Sequence, residues 1–278
     1  GAESFNQDIS GWDLHNLTSL HDTFKGAISF NQPLNSWYVR NVNQMSGTFF
    51  GATAFNQPLD NWDTRNVKTM QGTFREAASF NQDIGTWDTR SVENMDGTFW
   101  YAATFDQDIG NWNTQKVTTM RNMFYGATVF NRDIGGWTTF QCLDMAHMFR
   151  EASNFDQDIG GWNVGSVTTT QNMFRDATSF NRDIRDWNFF NVVDMWGMFY
   201  GATNFNQDID RWNTSKCLNM GHMFTDAENF NGDVGGWDVS NVTSMRRMFD
   251  GATNFDQDIG GWDVSSVTDM YRMFWYAA

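Results

Sequence analysis

The thiol and imidazole groups of the chain are few: Cys142, Cys217, His15, His21, His147 and His222. A covalent nucleophile needs a base within hydrogen-bond reach, and a zinc site needs closely spaced Cys or His ligands. No Cys or His spacing in the chain offers either. No Ser-His-Asp set, phosphate loop or metalloprotease helix can be drawn. The expectation is a protein that is not an enzyme, with no cofactor and no metal centre.

The carboxylates are more ordered. Asp8, Asp83, Asp108, Asp133, Asp158, Asp183, Asp208, Asp233 and Asp258 occupy one phase of a repeat. A column of oxygens invites Ca²⁺, but known acidic-loop repeats use Gly-rich nonapeptides that are absent here. These carboxylates are expected to cap a turn through backbone N–H groups. An Asn column, Asn6, Asn31, Asn56 and Asn81 onward, reads as a hydrogen-bonded ladder with Asp106, Asp156 and Asp256 substituting.

These columns exist because a 25-residue frame runs through the chain without insertion, eleven times. Phe recurs from Phe5 and Phe30 to Phe255, Trp from Trp12 and Trp37 to Trp262, and a second Phe from Phe24 to Phe274. A fixed period of this length marks a solenoid, in which each unit buries its apolar face against its neighbours. The expected fold is an α/β solenoid over residues 1–278. Its eleven stacked repeats each hold a short helix plus short extended segments, and the stack is curved with its helices outward. Both ends fall at the same repeat phase without a polar capping repeat, so the sequence reads as a stretch of a longer array with end-to-end self-association open to it.

The helix is read from Val267, Met270, Met273, Phe274 and Ala277, whose spacing makes one helical face, with Gly after its end in many copies, as at Gly126 and Gly201. The extended segments are read from Phe255–Ile259 and Trp262–Val264 around a Gly-Gly turn. Cys142 and Cys217 fall at a phase held elsewhere by Val42 or Val67 and lie three repeats apart, too far to bridge. Buried, inert thiols are expected, with the histidines at the surface.

The formal charge is −15. Nucleic acid and anionic membranes both need a basic face, so neither is an expected partner. No stretch is long and apolar enough for a membrane span.

With the ladders committed to the fold, partner information must sit at phases that vary. One carries Arg40, Arg65 and Arg90 in successive repeats, a basic stripe suited to a carboxylate-rich partner. The same phase then carries Phe140, Gly165 and Phe190, two aromatics flanking an empty position. Phe189, Leu143, Val193, Trp196 and Tyr200 add apolar groups nearby, and Thr170 replaces the core Met beneath. These residues are the candidates for contact with a protein partner. A glycan is the alternative, through Trp100, Tyr101, Tyr125, Tyr200, Trp275 and Tyr276.

The unit Phe-Asn-Gln-Asp-Ile-x-x-Trp-Asp-x-x-x-Val-x-x-Met-x-x-Met-Phe resembles the bacterial surface protein 26-residue repeat, a leucine-rich-like family of unknown function found in surface lipoproteins. The resemblance covers the whole chain. It implies an extracellular or cell-surface location and contact with other molecules. The strict 25-residue spacing and the lack of a lipoprotein Cys or wall anchor depart from that family.

Overall fold

A computed structural model describes residues 2–277. The chain winds into eleven coils, coil 1 carrying Trp12 and coil 11 carrying Trp262, each laid on the next in unbroken register. Parallel bridges join one residue per coil to its equivalent in the next, from Ser19↔Gln44 to Ser244↔Asp269.

No α-helix and no extended strand forms among the described residues. The expected short helix is corrected to a run of β-turns. In coil 2 the turns close from Phe30 N to Ala27 O, Trp37 N to Leu34 O, Val42 N to Val39 O, Thr48 N to Met45 O, Phe50 N to Gly47 O, and Ala52 N to Phe49 O. Nearly every apolar pair spaced i, i+3 is thus the two ends of one turn, both aimed inward. That spacing is common to a helix face and to a β-turn, so the sequence pattern fits both.

Stacking decides between them. The N–H groups that the turns leave over donate to the next coil: Leu20 N to Gln44 O, Asp22 N to Ser46 O, Phe24 N to Thr48 O and Gly26 N to Phe50 O, at 2.7–2.9 Å. A helix would spend those groups on its own carbonyls and need roughly 8–10 Å between neighbours. A backbone ladder draws coils closer, to about 4.8 Å. The third residue of two of these turns takes positive φ, at Gly47 (φ 62) and Gly51 (φ 69) in coil 2, as a type II turn demands.

The side chains repeat the logic. The Phe, Trp, Met, Ile, Val and Ala columns are buried through the interior coils. From Trp37 to Trp262 each indole of the Trp column donates Nε1–H to the carbonyl that opens the preceding coil's turn, as Trp62 to Leu34 at 2.9 Å and Trp162 to Ile134 at 3.1 Å. Asn31 N donates to Asn6 Oδ1 at 2.9 Å, and the chain of such bonds runs on to Asp256 N and Asn231 Oδ1 at 2.9 Å. The Asp column caps turns within its own coil, Gly85 N donating to Asp83 Oδ1 at 2.9 Å and Gly160 N to Asp158 Oδ1 at 3.0 Å.

Equivalent rings lie 5.4–5.7 Å apart in the Phe24 column, against 5.9–6.5 Å for stacked Trp pairs. The coils therefore splay away from the bridged side. The segment expected as an outward helix lies on the tight side, the reverse of the sequence expectation, because it carries the ladder. The columns open to solvent at the first and last coils, where Trp12 is 59% and Phe274 50% exposed.

Candidate protein-interaction faces

Two strips of varying side chains run along the outside. The first lies between the Trp column and the bridge ladder. In each interior coil a turn such as Val39–Val42 buries its two ends and lifts its middle residues, here Arg40 and Asn41, towards solvent. The next outward position precedes the bridge, as at Lys68, Leu143 or Val193.

Arg40, Arg65 and Arg90 stand exposed on this strip in coils 2–4. Arg65 Nε donates to Asp63 Oδ1 at 2.7 Å and Arg90 Nε to Asp88 Oδ1 at 2.8 Å. The hydrogen bonds from Arg90 help hold the Asp88 carboxyl below its ordinary range against the opposing pull of burial. Arg40 comes only to 3.9 Å from Asp63.

Further along the same strip, Phe140, Leu143, Phe190, Val193 and Leu218 are all exposed. Gly165 sits between the coils of Phe140 and Phe190, half-buried, and leaves no side chain between the two. The Lys216 ammonium lies 3.8 Å from the Phe190 ring centroid and donates to Asn191 Oδ1 at 3.0 Å. Lys216 and Leu218 were not singled out in the sequence, although they share phases with Asn41 and Val193.

Phe189 is corrected: it is fully buried, its ring edge-on to Trp187 at 5.8 Å and Trp212 at 4.5 Å. Its phase holds Leu14, Val39 and Val164 in some coils and Thr64, Thr89, Thr114, Thr139 and Thr214 in others, so the column alone does not mark a core position. As the first residue of its turn it must point inward.

Trp196 and Tyr200 belong to the second strip, on the outer side of the turn ladder. Both are half-buried. Trp196 packs on His222 with ring centroids 5.1 Å apart, and Tyr200 lies under Arg175 at 4.3 Å. Burial raises the Tyr200 hydroxyl above its ordinary range. The candidates read from the sequence therefore divide between two strips and the core.

The second strip is a ladder of cations and rings. Arg75 lies over Phe50 at 4.6 Å and over Trp100 at 3.7 Å, Trp100 stacks on Tyr125 at 5.3 Å, and Arg150 covers Tyr125 at 4.7 Å. Trp275 lies under Arg272 at 3.6 Å. Of the aromatic groups read as glycan candidates, Trp100, Tyr125 and Tyr200 have a neighbour on a ring face, while Tyr101, Trp275 and Tyr276 are exposed. The guanidinium groups are engaged too, Arg75 with Glu76 at 3.1 Å and Arg175 with Asp176 at 3.3 Å.

The histidines expected at the surface differ. His147 and His222 are half-buried on this strip. Burial, reinforced by Arg121, Arg150 and Arg175, pushes the His147 imidazole down to about 4. Cys142 and Cys217 are free and fully buried, and desolvation raises both thiols to about 12. Among the described residues no group of three His, Cys, Asp or Glu converges as metal ligands would, and no helix is long and apolar enough to cross a membrane. One open cleft of about 630 Å³ is lined by Asp22, Lys25, Phe50 and Glu76.

The family model described as "Mycoplasma protein of unknown function, DUF285" matches residues 1–111, 102–208 and 180–278. This is a tandem repeat family of unknown function; the 26-residue surface-protein repeat remains a resemblance of motif. No curated protein matches. Among solved structures, the TLR13–ssRNA13 complex is 10% identical with a TM-score of 0.31, the match covering 87% of this chain and 41% of that one. An internalin (inlF) from Listeria monocytogenes is 10% identical with a TM-score of 0.26, covering 85% of this chain and 75% of that one. Neither likeness is strong enough to bear on function.

Proposed function

Because the chain belongs along its whole length to the DUF285 family of Mycoplasma proteins of unknown function, we propose that it is a non-catalytic repeat scaffold that binds protein partners along one face and is displayed at the cell surface. The observation that carries the binding reading is the first strip. Phe140, Leu143, Phe190, Val193 and Leu218 are exposed together on coils 6–9, while the coils before them present polar and charged groups at the same phases. A cluster of exposed apolar side chains on an otherwise polar molecule is characteristic of a contact site. The surface location draws its support from the motif resemblance alone.

The non-catalytic reading is supported by the state of the groups that would do chemistry. A nucleophile must be ionised or activated by a base, and it must be reachable. The two thiols are neither reachable nor acidic, and the two imidazoles of the second strip are packed among cations.

The test is Phe140→Ala with Phe190→Ala in the full chain. Both side chains are exposed, so the fold should keep its far-UV and near-UV circular dichroism. Loss of the proteins retained by the wild-type chain from membrane-associated extract is expected. Retention undiminished, with the spectra unchanged, would overturn the reading.

A further inference from the structure

The first strip also gathers positive charge. On coils 2–5 its outward positions hold Arg40, Arg65, Lys68, Arg90 and Lys116, all exposed, against one carboxylate at the same phases, Glu93. Asp63 and Asp88 at its edge pair with Arg65 and Arg90. Lys68 and Lys116 have no carboxylate within ion-pair distance among the described residues, and Arg40 has one only at 3.9 Å. On a chain of formal charge −15, the strip is cationic over coils 2–5 and carries exposed apolar side chains on coils 6, 8 and 9, with the small Gly165 on coil 7 between them.

We infer that this strip receives one elongated protein segment, acidic at one end and apolar at the other, laid lengthwise across coils 2–9; the inference rests on the scaffold reading above. Coil steps of 5.9–6.5 Å at the neighbouring Trp column put Arg40 and Leu218 roughly 40 Å apart, the reach of about 12 extended residues. The two halves do different work. The net charge of −15 disfavours an acidic segment on the body as a whole, so the cationic half steers it and fixes its orientation. The apolar half then holds it by burying Phe140, Leu143, Phe190, Val193 and Leu218. Lys216, folded over Phe190, keeps that ring presented at its edge.

A second copy of the chain is a poorer occupant. Its most regular acidic row is the turn-capping Asp column, and there the adjoining apolar side chains, such as Ile84 and Ile109, are fully buried. It therefore offers charge without the apolar continuation that coils 6–9 would accept.

The test uses the full chain and two fluorescent peptides of about 12 residues and identical composition. One joins a Glu run to a Leu run, and the other alternates Glu with Leu. The segregated peptide should bind at least about tenfold tighter, and should lose that advantage between about 50 and about 300 mM NaCl. Arg40→Glu with Lys68→Glu should remove the salt dependence. Leu143→Ser with Val193→Ser should weaken both peptides alike at every salt concentration.

Equal affinity for the two peptides, with loss in the Leu143→Ser, Val193→Ser variant, overturns the charge-segregated partner and leaves the scaffold reading standing. No binding of either peptide overturns the inference, and the partner-retention experiment above then reports separately on the scaffold reading. A dimer in sedimentation that the Arg40→Glu, Lys68→Glu variant abolishes would also overturn it, in favour of a second copy.

Discussion

The Tyr101 hydroxyl donates to Glu151 Oε2 at 3.1 Å, two coils further on, and to reach it the Tyr101 ring lies flat across Gly126 in the coil between. Three coils are thereby tied by one side chain. Desolvation and the neighbouring carboxylate raise the phenol well above its ordinary range, so it stays a donor throughout the working pH range.

Gly126→Ala tests that strap. A Cβ at position 126 would run into the Tyr101 ring, and the residue has φ 68. Glu76 and Glu151 carry side chains at the same phase with φ 58, so the dihedral alone is tolerated at a cost of about 1 kcal/mol. A loss of more than about 2 kcal/mol in urea unfolding is expected, the excess coming from the clash. In Tyr101→Ala/Gly126→Ala the excess should vanish. Equal loss with and without the ring would rule the clash out.

The Trp ladder predicts a positional effect. Trp162 is buried and its indole N–H reaches Ile134 O, whereas Trp12 is 59% exposed. Trp162→Phe should cost about 2–4 kcal/mol through lost volume and a lost hydrogen bond. Trp12→Phe should cost within about 0.5 kcal/mol. Similar costs at both positions, measured by the denaturant midpoint, would mean that the ladder bond contributes nothing.

Thr170 is a flaw in the core. It is fully buried where other coils have Leu or Met, and its hydroxyl has no partner. Thr170→Met should raise stability by about 1–3 kcal/mol by removing an unpaired polar group. A drop in thermal midpoint would show that the surrounding side chains are shaped to the shorter residue.

His147 sets a pH dependence. Its imidazole titrates at about 4 in the fold and near 6.5 when unfolded. Between those values the unfolded chain takes up the proton and the folded chain does not. Stability is complete above about pH 6.5 and is lost as pH falls towards about 4. Desolvation is the main cause, and Arg121, Arg150 and Arg175 outweigh the opposing Asp144. The burial is partial, so solvent screening reduces the effect. His147→Gln should flatten the urea midpoint over that window. An unchanged slope would assign the pH dependence to other groups, of which His222, also depressed by burial, is the first to try.

The register, the columns and the strip candidates Arg40, Arg65, Arg90, Phe140 and Phe190 were legible from the sequence, because a strict repeat turns phase into position. Local conformation was not. Met270, Met273 and Phe274 fit a helix face by spacing, and the same spacing brings both ends of a β-turn inward. The choice depends on where each N–H goes, and Phe24 N goes to Thr48 O in another coil. Phe189 was misassigned for the same reason: whether a residue opens a turn or rides on it cannot be read from its side chain. The sequence alone thus determined which residues stack on which, since a repeat without insertions admits one register. Only the tertiary structure decided the path of each coil and which strips face outward, because the bonds that select turns over a helix lie between coils.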